Sequence, residues 1–502
     1  MPSVYFTPDH EEFRRQVRRF MDQEIAPHAD EWEEAGVIPR EAFGQMGRLG
    51  FLGISFPEEY GGSGADMLFA VIFLEELTRS RMGGFCAAVS VQQFMATQHI
   101  YRWGSEELKR NYLAPSIAGD KVGALAITEP DTGSDVAAIR GKAVRDGEHW
   151  VIDGAKTFIT NGALGDFYTL AVKTDPAGGA AGVSLIVVDR EAPGVSARRL
   201  KKLGWYCSDT AEVAFEGVRA PAGRLVGREN MGFYYLMEAF PLERLCGAAI
   251  SVGSADICLQ EALAYMRQRT AFGRPLTKYQ ALTHRLADLA SQLEAARQLI
   301  YHAAWLMENG HPHERECTMA KLVATELNQR VADACLQCLG GYGFMEEYPM
   351  ARFFRDARAG TIVAGTSEIM REILARLMTG EAPPDRGKAM AGEQGPGLAE
   401  LFNSLPGRLR TEKVGDWQGV FHFDLAGGRP GQWTVEIGGG GCRVSQGHQG
   451  QAGCLVEMDA ATYIGIETGA LDPQAAFMGG KIKVSDLGAM LKYLTAFRPL
   501  DK

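Results

Sequence analysis

No apolar run in this chain of 502 residues reaches the ~20 that a membrane-spanning helix requires. Mean hydropathy is -0.12. Positive charge is not in excess either: 52 basic residues stand against 62 acidic ones, for a formal net charge of -10 and a pI of about 5.6. That balance argues against nucleic-acid binding carried by overall charge. The opening MPSVYFTPDHEEFRR turns acidic and amphipathic at once and lacks the basic and apolar regions of a signal peptide. Cysteine is sparse. Nine in so long a chain, an odd number, argue against a disulfide framework, and the expected setting is the reducing cytoplasm. Metal-ligand spacing is missing as well. Cys335 and Cys338 make a lone CxxC without a second pair, and His311 and His313 sit in a polar HPHERE loop without cysteine partners. No repeat recurs at a solenoid period.

What is present suffices for several cores: 46% of residues are hydrophobic, 9% aromatic and 23% charged. The length suits roughly three or four domains at ~150 residues each. Residues 1–122 read as helical. Thr7 and Pro8 suit an N-cap and a first turn, and Phe13, Val17, Phe20, Met21 and Ile25 follow at helical spacing. Further apolar stretches cover 67–79 and 85–103. Over 123–228 the pattern becomes short β-rich runs, HWVIDGAKTFIT, DFYTLAVKT, GVSLIVVDR and AEVAFEGV, which predict a small antiparallel barrel or sandwich. Helical period returns over 229–380, broken at Phe272–Pro275, His311–Pro312 and Gly340–Gly343. Residues 381–397 concentrate Gly and Pro and read as a linker. Over 398–502 a short helix, GLAELFNSLPGRL, precedes strands in GVFHFDLAG, QWTVEIGGG and AGCLVEMD. The end, AAFMGGKIKVSDLGAMLKYLTAF, returns to helix, giving an α+β domain with one core.

Chemistry concentrates in the turns. LAITEPDTGSD, 125–135, offers hydroxyls and backbone N–H groups at Thr128, Thr132, Gly133 and Ser134, which suit a phosphate or a flavin edge. A capped loop at a barrel edge is the commoner use of such residues. In GAKTFITNG, 154–162, Phe158 and Thr160 share one strand face and suit a flat cofactor, although a strand aromatic is more often core. RTAFGRPL, 269–276, puts Arg269 beside a tight turn, either as a pyrophosphate ligand or as a solvated arginine. Gly340 and Gly341, within QCLGGYGFMEEYPMARFFRDAR, either let a ligand approach the backbone or end a helix. Thr366 or Ser367 caps a helix that begins in GTSEI. GGSG, 61–64, lacks the strand–glycine–helix setting of a nucleotide loop and reads as a turn.

PEEYGGSG, ITEPDTGSD, KTFITNG, RTAFGRPL, QCLGGYGFMEEYPMARFFRDAR and IVAGTSEI stand in the order and spacing of the acyl-CoA dehydrogenase family, which residues 1–380 resemble. Residues 395–502, especially AAFMGGKIKV, resemble the sterol carrier protein 2 domain, a lipid-binding α+β module. The resemblance implies a multidomain α+β chain. Its first part would have the acyl-CoA dehydrogenase fold, with a helical domain, a β-barrel or sandwich and a four-helix bundle; a sterol-carrier-like α+β domain would follow. FAD would lie between the parts and reach into a neighbouring subunit, so a homodimer or homotetramer is expected. The implied reaction is α,β-dehydrogenation of an acyl-CoA thioester to the 2-enoyl-CoA. Hydride passes to flavin N5, and electrons pass on to an electron-transfer flavoprotein.

Many members of the family carry the catalytic base as a Glu immediately before the GT of GTSEI. Here that position is Ala364, which cannot take a proton, while its backbone N–H remains to donate to the thioester oxygen. Isovaleryl-CoA and long-chain types carry the base instead in a segment like FPLERLCGAA, 240–249, which implies Glu243 as base with Arg244 beside it. Such a pair on a helix is otherwise a solvated one. Pro241 stands where relatives often have an acidic residue near the CoA arm. The resemblance assigns FAD contacts to Leu125, Ile127, Thr128, Gly133, Ser134, Phe158 and Thr160, with Phe158 in place of a common Trp. Arg269, Phe272, Gln280 and the turn from Gln337 through Gly340 to Gly341 would hold the FAD of the partner subunit, and Thr366 and Glu368 would complete the nucleotide site. Ser134, Tyr234, Arg244, Ala364 and Gly365 would line the acyl-CoA path, and Phe94 and Met95 would approach the acyl pocket without fixing a chain length. Two other readings use the same residues. One is an acyl-CoA oxidase-type flavoenzyme. The other is a lipid-binding protein with a degenerate dehydrogenase scaffold, which Ala364 favours and Glu243 opposes. The C-terminal domain would hold bulky esters near the site, or its last helix simply closes its own core.

Overall fold

The computed structural model describes residues 4–379, 398–414, 417–426, 431–468, 476 and 482–498. It divides into two compact units, Met1–Pro383 and Pro384–Lys502. The linker expected over 381–397 and most of AAFMGGKIKV lie outside the described residues. Among the described residues, no helix is long and apolar enough to cross a membrane.

In the first unit, α1 (Pro8–Phe20) starts where Thr7 caps it, in a capping box closed by His10. Val17, Phe20, Met21 and Ile25 enter the core as their spacing predicts. α2 (Met67–Leu77), capped by Asp66, is apolar nearly all round because α1 and the later helices Gly232–Gln268 and Gln280–Glu308 pack around it. α3 (Gly83–Val91) runs through a π-helical turn, Gln92–Ala96, into α4 (Thr97–Trp103). The amide of Gln92 fastens that turn to the sheet that follows. It donates to the carbonyls of Ser116 (3.0 Å) and Lys121 (2.9 Å) and accepts from Gly123 N–H (2.7 Å).

Seven strands then form one sheet: β1 (Gly123–Ala126), β2 (Lys142–Asp146), β3 (His149–Thr160), β4 (Phe167–Lys173), β5 (Val183–Asp189), β6 (Val195–Arg199) and β7 (Thr210–Pro221). The antiparallel expectation needs one correction. β4 pairs β5 antiparallel, but it pairs β1, and β2 at Lys142↔Lys173, in parallel. The loop 127–141 carries the chain away from β1 before the next strand, so β1 is free of the hairpin geometry that forces antiparallel neighbours. β3 and β7 are antiparallel, with the register shifting between Lys156 and Ile159.

Long helices complete the unit: α5 (Gly232–Gln268), α6 (Gln280–Glu308), α7 (Glu314–Leu339), α8 (Pro349–Ala357) and α9 (Ser367–Thr379). α7 packs against α5, α6, α8 and α9. Between α5 and α6, RTAFGRPL folds as a small hairpin of β8 (Thr270–Ala271) and β9 (Arg274–Pro275), with Phe272 at its tip. Thr366 is the cap of α9, its Oγ1 accepting from Ile369 N–H (3.3 Å).

The second unit opens with α10 (Leu398–Arg408). Its five-stranded sheet contains β10 (Gly419–Ala426), β11 (Gln432–Gly438), β12 (Gly441–Gln446), β13 (Cys454–Asp459) and β14 (Lys483–Val484). Two further helices are α11 (Ala460–Glu467) and α12 (Leu487–Ala496). QWTVEIGGG does not stop after one strand. Gly439 and Gly440, at φ 60° and 75°, make a two-residue turn that only such backbones adopt freely, and the chain returns as β12. Lys483 and Val484 are a strand paired with β13, where the sequence suggested helix. Phe402 of α10 is stacked between Trp433 (4.7 Å) and Tyr463 (4.5 Å), which closes the core over the sheet.

Candidate active site

α5 carries Glu243 into the interior, two residues after Pro241, which has no N–H to give the preceding turn. Glu243 is 6% exposed, and its Oε1 has no hydrogen-bond partner. Burial pushes its carboxyl up to about 8 against the weaker pull of Arg244. A solvated Glu–Arg pair is therefore not what the structure holds. Arg244 is also buried and reaches across to α7. Its Nη1 donates to Thr318 Oγ1 (3.1 Å) and lies 3.8 Å from Glu314 Oε1.

One turn further along α7, Lys321 Nζ donates to the carbonyl of Gly365. The segment it holds has left-handed backbone at two successive residues, Ala364 (φ 53°) and Gly365 (φ 88°). One face of α7 thus links Glu243 and Arg244 on one side to Ala364 and Gly365 on the other. Lys321 was not singled out in the sequence, because a lysine in a helical MAKLVA reads as solvent-facing. Of the other residues expected along the acyl path, Tyr234 is half-buried in the first turn of α5, and Ser134 is exposed. Phe94 and Met95 lie in the π turn, Phe94 inside the core and Met95 half-buried.

A second group forms on the sheet. Ala124 and Ala126 face its core, while Leu125 and Ile127 pack toward the helices with Thr128 beside them. Gly133 and Ser134 are exposed in the loop that follows. Thr157 N–H donates to Thr128 O (2.9 Å), which lays this loop along β3. Phe158 follows at the register shift with φ 60°, a costly backbone for an aromatic residue, and its ring is 69% exposed. It is not core. Thr160 is half-buried. A buried ion pair anchors the arrangement: Lys156 Nζ donates to Glu129 Oε1 (2.8 Å) and to Ile127 O (2.9 Å), and Glu129 also accepts from the Arg140 and Gly141 amides. Burial pulls Lys156 down to about 8 despite Glu129. Burial alone would raise Glu129, but Lys156 and the two amides hold it below the usual carboxylate range.

A third group lies at the far ends of the long helices. The Arg269 guanidinium sits 6.0 Å from the centre of the Tyr342 ring, beside the Gly340–Gly341 turn. Gly340 has φ 61°, and a Cβ at either glycine would meet nothing, so the backbone there is bare. Arg269, Gln280 and Gln337 are exposed, and Phe272 is 97% exposed at φ 49°. Within one chain this group is not brought to Glu243. Thr366 and Glu368 flank the start of α9, the latter exposed.

Residues 7–120, 124–218 and 230–379 match the N-terminal, middle and C-terminal domains of acyl-CoA dehydrogenase. Long-chain specific acyl-CoA dehydrogenase of Sus scrofa is 40% identical over 374 residues, 74% of this chain and 86% of that protein. The chain belongs to the acyl-CoA dehydrogenase family.

The crystal structure of an acyl-CoA dehydrogenase from Geobacillus kaustophilus, 38% identical, covers 75% of this chain and all of its own at a TM-score of 0.73. Butyryl-CoA dehydrogenase from Megasphaera elsdenii, 32% identical, covers 76% of this chain and 100% of its own, also at 0.73. Residues 402–498 match the SCP-2 sterol transfer family. The protein is thus an FAD-dependent acyl-CoA dehydrogenase with an appended SCP-2 region. Its residues fit that cofactor. An outward aromatic plane at Phe158 adjoins the hydroxyl-rich turn, and Arg269 with a bare glycine turn suits a diphosphate.

Proposed function

We propose that Glu243 is the base that removes the α proton of the acyl-CoA thioester. The observation that carries this reading is a buried carboxyl with an unpartnered oxygen, on a chain whose alternative position is Ala364. A thioester α C–H is a weak acid, so the base must be dry and near neutral in affinity, and the developing charge on the carbonyl oxygen needs fixed donors. Glu243 meets the first requirement, and Ala364 N–H supplies one donor for the second. Bound FAD supplies the hydride acceptor at N5.

Leu125, Ile127, Thr128, Gly133, Ser134, Phe158 and Thr160 hold the flavin, and Thr366 and Glu368 hold its nucleotide end. Arg269, Phe272, Gln280, Gln337, Gly340 and Gly341 serve a second copy's FAD, which makes the working form a homodimer or homotetramer. The exposure of this last group, away from Glu243 in its own chain, supports that assignment. Tyr234, Arg244 and Gly365 line the acyl-CoA path with Ser134 and Ala364. Electrons leave to an electron-transfer flavoprotein, the acceptor that the family resemblance implies. Nine free cysteines suit a cytoplasmic setting. The domain limits follow the sequence reading, 1–122, 123–228, 229–380 and 398–502, and the last of these binds a fatty-acyl or sterol-like group.

Anaerobic titration of the holoenzyme with short, branched, long and sterol-like acyl-CoA esters tests the reading. One class should bleach the flavin in the native protein, and Glu243→Gln should not be bleached. Equal bleaching in the variant would place the base elsewhere. Rapid oxygen uptake with substrate would favour the oxidase reading.

A further inference from the structure

We propose that Lys321 is a positioning residue for the oxyanion side of the site: its ammonium group holds the Gly365 carbonyl and so aims the Ala364 N–H at the thioester oxygen. The proposal rests on the reading of Glu243 and Ala364 given above.

Three observations carry it. First, lysine is almost never fully buried without a partner, yet Lys321 is 1% exposed and donates to the carbonyl of Gly365. Second, Ala364 and Gly365 both have left-handed backbone, which an alanine keeps only where its surroundings hold it there. Lys321 holds this bend from the α7 side, and the Thr366 cap fixes it on the α9 side. Third, Thr318 and Lys321 are three residues apart and share one face of α7. Thr318 Oγ1 accepts from Arg244, the neighbour of Glu243, while Lys321 donates to the Gly365 carbonyl. One rigid helix face therefore sets the separation between the base and the oxyanion donor.

The charges around Lys321 suit a donor held in place. Burial first, and then Arg244, pull its pKa down to about 8, while Glu368 on α9 and Glu326 on α7 oppose them. It is close to neutral affinity but still charged at physiological pH. A lysine whose task was stability alone would gain more from a carboxylate partner than from one carbonyl.

The test uses the holoenzyme and a 3-thia-acyl-CoA, an ester that loses its α proton but has no β hydrogen to transfer. The pH at which the bound analogue ionises, read by absorbance, reports how well the site stabilises the oxyanion. Lys321→Met should raise that pH by about one unit, a tenfold loss. FAD content and binding of the un-ionised analogue should stay within about twofold. Lys321→Arg, which keeps a charged donor, should restore most of the shift. If Lys321→Met does not fold, Gly365→Ala decides: an alanine at φ 88° is strained, so the bend that carries this carbonyl should relax and the ionisation should shift in the same direction. An unshifted ionisation in a folded, FAD-bearing variant overturns the proposal, even if thermal stability has fallen. The base is judged separately, by whether Glu243→Gln abolishes ionisation.

Discussion

At the residue scale, the site depends on charges that burial has made expensive. Glu243 has a folded-state affinity of about 8 against an ordinary 4.5. A carboxyl raised in this way contributes stability below pH 4.5 and loses it as pH climbs toward 8, because the folded protein must then bury the ionised form. Glu243→Gln removes that loss. The variant's melting temperature should fall less than the native enzyme's between about pH 5 and 8, the window between the unfolded and folded affinities. Parallel melting curves would mean that Glu243 ionises as freely folded as unfolded. The Lys156–Glu129 pair has the opposite character, since both charges are retained and satisfied. Lys156→Met would strand a buried carboxylate, and the expected cost is about 3–5 kcal/mol by denaturant unfolding, with weaker FAD retention. A loss under about 1 kcal/mol would show that water already reaches the pair.

These residues also mark how far the sequence alone could be read. The turns that the resemblance assigns to FAD carry hydroxyls, glycines and one arginine, but by themselves those residue types suit a capped loop or a solvated arginine equally well. Glu243 was assigned only by resemblance, through the vacancy at Ala364, since a LER segment on a helix is ordinary. Lys321 and Lys156 were not visible. A lysine's burial is decided by what packs on it from distant elements, here α9 and the 127–141 loop. Phe158 illustrates the same limit: strand alternation places it on one face, but its exposure comes from a register shift with β7.

At the element scale, helices were legible almost to the residue where a cap accompanied the apolar period, as at Thr7 and Thr366. Strand partners were not, because pairing is settled by long-range topology; β1 and β4 are parallel without any local signal. One junction shows how elements are fastened. Asp356 of α8 accepts from Gly83 N–H at the start of α3 (2.9 Å) and from Trp205 N–H in the β6–β7 loop (2.7 Å). Burial and the nearby Glu33 push Asp356 up to about 7. Asp356→Ala would leave two partly buried donors without this partner, at about 1 kcal/mol each. Hydrogen exchange should quicken at Gly83 and Trp205 together. Faster exchange at only one of them would show that the two segments are not held through Asp356.

At the scale of the whole molecule, two compact units, each with core of its own, predict two separable behaviours. The second unit closes around Phe402, and truncating such a ring costs about 3–5 kcal/mol. Phe402→Ala should lower one thermal transition and leave FAD binding and turnover of short esters unchanged. A single shifted transition would mean that the units unfold as one. If the second unit presents bulky esters to the active site, removing residues 398–502 should raise KM for those esters severalfold and leave short ones alone. Equal kinetics on both would confine that unit to another task.

The central claim is that a buried, unpartnered Glu243 takes the α proton. Its most direct test is the pH dependence of the second-order rate constant for anaerobic flavin reduction, taken from single turnovers at limiting acyl-CoA, together with substrate binding at each pH. Second-order reduction should rise with pH through about 8, as Glu243 loses its proton, and then level off. Glu243→Gln should bind FAD and ester normally and show no such rise. A flat profile in the native enzyme, or a rise that survives in Glu243→Gln, would contradict the account.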